Sequence, residues 1–455
     1  MEMVLEFLRD VLSQPALLIG IMSCIGLIAL KRPFHKVMTG TLKPILGYLM
    51  LAAGAGVIVN NLDPLGKMIE HGFHITGVVP NNEAIVAVAQ KVLGVETMSI
   101  LVVGLLMNLC IARFTKFKYV FLTGHHSLFM ACLMSAVLGT AGLSGMELIL
   151  VGGFLMGAWS AISPAIGQSY TSKVTDGDEI AIGHFGSLGY YLSAWVAKYV
   201  GKADDSTEDI EIPEKWGFLR DSTLSTALTM IVFYLIAAIA AGSEFVSTLS
   251  GDMSPYLYAV MSAMNFAVGV TIVYSGVRMI LGDLIPAFQG IATKIIPNAI
   301  PAVDCAVFFT YAPTAVVLGF ISSFIGGIIG MLILGAVGGV LIIPGLVPHF
   351  FCGATAGIYG NATGGRRGAA VGAFLNGLAI TFLPALALPV LGQLGFQNTT
   401  FGDADFAVMG LVLGHAFEWI GMAGIYGIVA IAALVLIIPN FIKTKGKVIN
   451  YVEEE

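Results

Sequence analysis

Long apolar runs alternate along the chain with short polar or basic breaks, and each run is of the length that crosses a bilayer as a helix. Spans are predicted at about 13–30, 45–61, 97–112, 119–142, 146–166, 225–246 and 255–281. Two more fill 303–345, and further spans lie at about 368–392 and 421–441, eleven in all. Lys31, Arg32, Lys36 and Lys43 follow the first span, and Arg113, Lys116 and Lys118 follow the third. Lys443, Lys445 and Lys447 follow the last. Basic loops stay in the cytoplasm, so these clusters put the N-terminus outside and the C-terminus inside.

The intervening stretches are of two kinds. Residues 62–95 and 283–300 read as amphipathic segments, outside and inside respectively, and 198–224 as a hydrophilic cytoplasmic loop. Residues 170–197, 346–364 and 403–420 are glycine-broken and carry polar groups within apolar surroundings. We read 170–197 and 403–420 as re-entrant hairpins, because irregular backbone at membrane depth survives only against protein or a water-filled cavity.

Local patterns recur in the same order: "GVIVNNLD" (56–63) with "GVRMILGD" (276–283), "VVPN" (78–81) with "IIPN" (295–298), "LTGH" (122–125) with "LVPH" (346–349), and "GHFGSLG" (183–189) with "GHAFEWIG" (414–421). Their near-common offset predicts a duplication into two inverted five-span repeats, 1–224 and 225–420, followed by a last span and cytoplasmic tail, 421–455. The fold class is therefore an all-α polytopic membrane protein.

Composition agrees. The chain is 57% hydrophobic and 11% charged, with a mean hydropathy of +0.89; a soluble domain carries about 25% charged residues. The 56 glycines suit closely packed or broken membrane helices. The net charge of −6 says little about partners. The five cysteines are scattered without C-x-x-C spacing, so neither a disulfide framework nor a zinc site is expected. No Walker A sequence, metalloprotease motif or basic-aromatic pattern is present, so ATP use, a metal, any other cofactor and nucleic acid are not expected.

The chemistry is then sought among polar groups stranded in apolar runs, which are costly at membrane depth and face a cavity, a partner or a substrate. His125 and His126 in "FLTGHHSLFM" come first. Adjacent residues point about 100° apart on a helix, so one faces a ligand better than the other. His184 lies on a hairpin between glycines, which admit a ligand close to the backbone. Asp304 in "PAVDCAVFFTYAP" is either a helix cap or a carboxylate accepting two sugar hydroxyls. Asn82 and Glu83 are pocket walls or caps. His415 and Glu418, one helical turn apart, are expected to pair with each other. These features indicate a transporter; an ion-coupled secondary transporter fits them as an alternative, and an intramembrane enzyme lacks a nucleophile to accompany the histidines.

The strings "LTGHHSLF", "VTDGDEIAIGH", "VDCAVFFTYAPTAVVLGF" and "LIIPGLVPHFFCGATAGIYGNATGG" resemble the ascorbate-specific enzyme IIC, the membrane component of the bacterial phosphoenolpyruvate-dependent sugar phosphotransferase system (PTS). The resemblance implies a homodimer in the bacterial inner membrane, each protomer with a substrate-carrying core domain and a V-shaped dimerisation domain. It implies elevator-type movement, and uptake of L-ascorbate coupled to its phosphorylation by a separate cytoplasmic IIB protein, itself charged through IIA. The phosphoryl-carrying residues then lie on the partners, and this chain supplies no catalytic residue of that kind. Carried over, the substrate contacts fall on Asn82, Glu83, His125, His126, Ser127, Leu128, Phe129, His184, Phe185 and Asp304. The chain departs from the family pattern at Phe129 and Phe185, where ascorbate members carry glutamines, and at Asn82-Glu83, where they carry Thr-Tyr.

Overall fold

The computed structural model describes residues 11, 14–74, 77–80, 82–177, 179–210, 222–392 and 399–441. A few side chains inside its helices, that of Glu83 among them, fall outside the described set, as do the basic residues of the tail. The described chain is helical nearly throughout. In order, the helices are α1 (Pro15–Ala29), α2 (Phe34–Phe73), α3 (Asn82–Phe114), α4 (Gly124–Thr140), α5 (Gly145–Ile166), α6 (Gln168–Val174) and α7 (Ser187–Val200). The second half holds α8 (Ser222–Ala241), α9 (Ser243–Ser250), α10 (Pro255–Lys294), α11 (Pro313–Ala336), α12 (Leu346–Gly392), α13 (Ala404–Ile420) and α14 (Met422–Ile437).

Among the described residues seven helices are long and apolar enough to cross a membrane, or eight if the bent pair α8–α9 counts as one span. Large apolar side chains such as Leu46, Ile239, Leu332 and Ile431 stand exposed on them, as side chains facing lipid do. The chain is therefore a polytopic helical membrane protein. The segments read as separate amphipathic stretches, 62–95 and 283–300, mostly continue the neighbouring helices: α2 and α10 are each 40 residues long. The broken segment at 346–364 is the first part of α12, which leaves helical geometry at Gly364 and Gly365, where Gly365 takes φ +60°. The two parts of α12 pack against α7 and α11.

Helices α1, α2, α8 and α10 form one bundle. Its axis is the crossing of α2 and α10, where glycines bring the backbones together. A Cβ on Gly276 would lie 2.5 Å from the Gly47 carbonyl oxygen, and one on Gly54 2.7 Å from that of Gly269. Small residues at such crossings permit backbone approach that larger side chains forbid.

Among the described residues, five short strands depart from the all-helical expectation. They are β1 (Val79–Pro80), β2 (Tyr119–Phe121), β3 (Ala181–Ile182), β4 (Ile300–Val303) and β5 (Thr399–Thr400). Strands β2, β4 and β3 form a parallel sheet in that order, with Tyr119 opposite Ile300 and Ile182 opposite Val303. Strand β1 pairs parallel with β5, and Val78 makes a parallel bridge to Ile342 on its other side.

Candidate binding site

Parallel strands deliver their carboxyl ends to one edge, and ligand sites in parallel sheets form there. Each strand of the larger sheet ends in a residue singled out from the sequence. Beyond β2 the Leu122 N–H reaches the Ala302 carbonyl (2.9 Å), and α4 then begins with Gly124, His125 and His126. Beyond β3 the Gly183 N–H reaches the Val303 carbonyl (2.7 Å), and His184 and Phe185 precede α7. Beyond β4 comes Asp304, at the start of a 3₁₀ turn, Cys305–Thr310. Helix N-termini therefore converge on the same edge, where the positive ends of their dipoles favour electron-rich atoms.

Among the described residues, the outer edge of β2 has no strand beside it. The Asn108 amide of α3 takes that place: its Nδ2 donates to the Tyr119 carbonyl (3.1 Å) and its Oδ1 accepts from the Phe121 N–H (3.0 Å). Gln168 Nε2 similarly donates to the Ile180 carbonyl beside β3 (2.9 Å). Buried backbone groups left without partners each cost about 1–3 kcal/mol. Replacing Asn108 by leucine orphans two of them and should lower stability by about 2–4 kcal/mol, measured as a loss of melting temperature of the purified protein in detergent.

Hydrogen bonds define the histidines. His126 Nδ1 accepts from the Phe185 N–H (3.2 Å), so a neutral His126 ring carries its proton on Nε2. His184 Nδ1 accepts from the Gly186 N–H (3.2 Å) and meets the Tyr190 hydroxyl (2.8 Å), which fixes the same tautomer. His125 turns Nε2 toward Asp304 Oδ2 (3.4 Å), while Nδ1 meets the Tyr48 hydroxyl (3.3 Å). Asp304 Oδ1 caps the 3₁₀ turn through the Ala306 N–H (3.2 Å). One Asp304 oxygen therefore caps the turn, as one of its two readings expects, and the other faces His125. The rings of His126 and His184 lie 3.8 Å apart. His126, His184 and Asp304 are buried, whereas the His125 side chain is 38% exposed and forms the accessible rim.

The smaller sheet brings a second set to this cluster. Asn82 opens α3 just beyond β1, and Asp403 lies just beyond β5. Asn82 Nδ2 donates to Asp403 Oδ2 (2.6 Å) and its Oδ1 accepts from the Gly402 N–H (2.9 Å). Asp403 Oδ1 accepts from the Cys352 thiol (2.8 Å) and stands 3.9 Å from His184 Nδ1. Asp405, fully buried, accepts from Ser187 Oγ (2.8 Å) and the Leu188 N–H (2.9 Å), and its own N–H donates to the Phe185 carbonyl (3.0 Å). That carboxylate holds the start of α7 and with it the loop bearing His184.

The remaining candidates occupy the surrounding wall. The Phe185 ring stacks on Phe121 (4.6 Å between centroids) and packs against Phe406, so this residue meets the cluster through its backbone. Phe129 lies against His125, His126 and Phe406. Ser127 donates to the Thr123 carbonyl within its own helix (3.3 Å), and Leu128 is half-buried. His415 pairs with Glu418 at 2.9 Å, exposed on α13, and His349 bonds Ser323 (2.9 Å) where α11 meets α12. Asp403 is not among the site residues expected from the sequence. Its signal is the turn "TTFGDAD", a short strand followed by a carboxylate, as in "PAVD" at Asp304.

By spacing alone, two groups among the described residues could hold a metal ion: His126, His184 and Asp403, and His184, Asp304 and Cys305, with candidate ligand atoms within 4.8 Å of one another. A metal needs a bare ring nitrogen, usually with the other nitrogen donating its proton. Here Nδ1 of both His126 and His184 accepts a backbone N–H, which leaves the proton on Nε2. Coordination through either nitrogen would break that arrangement. Fixed N–H donors beside carboxylate acceptors suit hydroxyl groups instead.

A polytopic helical protein with a buried cluster of histidines and carboxylates where two sheets meet has the architecture of a solute permease. The comparison with known families agrees: the model of the PTS system sugar-specific permease component family matches residues 10–405, and the chain belongs to that family. A curated relative, the ascorbate-specific PTS system EIIC component of Mycoplasma pneumoniae (strain ATCC 29342 / M129 / Subtype 1), is 27% identical over 417 residues, covering 78% of this chain. The chain spans 62% of that relative's length.

Proposed function

We propose that this chain is the translocating component for L-ascorbate uptake across the bacterial inner membrane, and that a separate IIB protein phosphorylates the sugar as it arrives. The observation that carries this reading is the convergence of His125, His126, His184 and Asp304 at the carboxyl ends of one parallel sheet. The similarity to an ascorbate-specific relative supports the choice of sugar. Asn82, Glu83, His125 through Phe129, His184, Phe185 and Asp304 surround the substrate, which enters past His125. Phosphorylation adds charge, which weakens rebinding and makes uptake one-way.

The site works by alternating access in an eleven-span protomer with its N-terminus outside and C-terminus inside. A core carries the sugar against a V-shaped domain that forms the homodimer. Two inverted repeats underlie the motion, and two internal correspondences support them. The contacts Gly47–Gly276 and Gly54–Gly269 exchange when each residue is moved by 222 positions. The same displacement sets β2 beside Ile342 and β4 beside β1, so the two small sheets become counterparts. Each sheet then draws strands from both repeats, and the site lies between the repeats, as in other transporters of inverted design.

The test is uptake of labelled ascorbate into vesicles, with and without phosphoenolpyruvate and the soluble PTS proteins. Ascorbate phosphate accumulating only in the complete system is the expected result. Accumulation of free ascorbate driven by a proton gradient alone would replace this reading with an ion-coupled transporter. Phosphorylation of another sugar in its place would keep the coupling and change the substrate.

A further inference from the structure

We propose that Asp403 is a specificity-determining substrate contact, which takes hydroxyl groups from the uncharged end of the sugar. The inference rests on the proposed permease reading and adds to the pocket a carboxylate from the smaller sheet.

Asp403 is 5% exposed, and among the described residues no lysine or arginine forms an ion pair with it. Buried carboxylates are stable when charge or several hydrogen bonds satisfy them, and an ionised carboxylate has about four acceptor positions. Its neighbour Asp405 is held by a hydroxyl and a backbone N–H. Asp403 precedes α13 but its side chain does not cap that helix. It turns to the Asn82 amide and to the Cys352 thiol, a weak donor.

The third neighbour is His184, and it cannot supply the missing proton. His184 Nδ1, 3.9 Å from Asp403 Oδ1, already accepts from the Gly186 N–H. Two acceptors therefore face each other across a gap too long for a direct hydrogen bond. A ligand hydroxyl beside them donates to Asp403, and a vicinal pair meets its open acceptor positions. An enolate oxygen there would meet only lone pairs and a carboxylate, so an ascorbate-type substrate must turn its side-chain diol, rather than its ionised ring, toward Asp403.

The experiment measures binding of ascorbate, and of analogues lacking one or both side-chain hydroxyls, to the purified protein and to Asp403→Asn. The wild type should lose about tenfold or more in affinity when the contacted hydroxyl is removed. Asp403→Asn should bind ascorbate about 10- to 100-fold more weakly and show little further loss with the analogue. A purely structural role would weaken all of these ligands equally and leave the wild-type preference for the diol intact. Asp403→Glu, which keeps the charge but displaces it, provides a second variant if the asparagine form is not recovered, and it too should lose the preference. Unchanged discrimination in a folded variant overturns the inference alone. Failure of the wild type to bind ascorbate at all overturns the substrate reading beneath it.

Discussion

Asp304→Asn should weaken substrate binding about 100-fold while leaving the protein folded. Asparagine retains an acceptor for the Ala306 N–H, so the cap of the 3₁₀ turn survives. What disappears is the charge opposite His125 and the strength of a carboxylate acceptor. Hydrogen bonds to charged groups contribute about 1.5–3 kcal/mol each, so weakening two of them by part of that amount gives the stated factor. The loss should be in affinity, measured by equilibrium binding to purified protein, with a near-normal melting temperature. Because His125 and Asp304 touch, their effects should not add: His125→Ala should cost less in the Asp304→Asn background than in the wild type. Affinity within threefold of wild type would remove Asp304 from the pocket.

The residues that make this prediction possible are legible in the sequence because membrane segments are chemically quiet. A histidine or aspartate in an apolar run has few reasons to be there, so His125, His184 and Asp304 stand out by residue type and surroundings alone. The sheets that gather them are not legible. "YVF", "AI" and "IPAV" lie within apolar sequence, where strand periodicity has no polar positions to mark it. Their partners are also remote in sequence: Phe121 meets Ala302, and Val79 meets Thr399. Two consequences are hidden with the sheets. Asn108 looks like one polar residue in a span, yet it closes an edge. Asp403 looks like loop charge, yet it follows a strand end as Asp304 does.

The phenylalanines show the limit of reading a substitution by chemistry alone. Against the glutamine that the resemblance leads one to expect, Phe185 removes a donor and an acceptor from the sequence. Its ring, however, is stacked on Phe121 and packed against Phe406, and its backbone supports His126 and Asp405. In the proposed site its effect is expected to run through the position of His126, which its N–H holds, rather than through a lost side-chain contact. Phe129 differs, because its ring lies against both His125 and His126 and borders the cluster itself.

Gly183→Ala should reduce uptake at least 100-fold, although it adds one methyl group and removes no polar contact. A Cβ at this position would overlap the Ala302 carbonyl oxygen, lie 2.5 Å from its carbon and 3.0 Å from the Val303 nitrogen. All three atoms are backbone, so no rotamer change relieves the overlap, and β3 must move away from β4. Overpacking of this kind costs about 1–3 kcal/mol, which a lowered melting temperature would register. The functional loss should exceed what that instability explains. His184 is the next residue, and displacement of the strand carries its ring away from His126 and Asp403 together; misplacement by about 1 Å costs roughly 100-fold in a site that depends on geometry. Binding and uptake should therefore fall in the fraction of protein that is demonstrably folded. Wild-type uptake by folded Gly183→Ala would mean that the register of β3 on β4 does not set the position of His184.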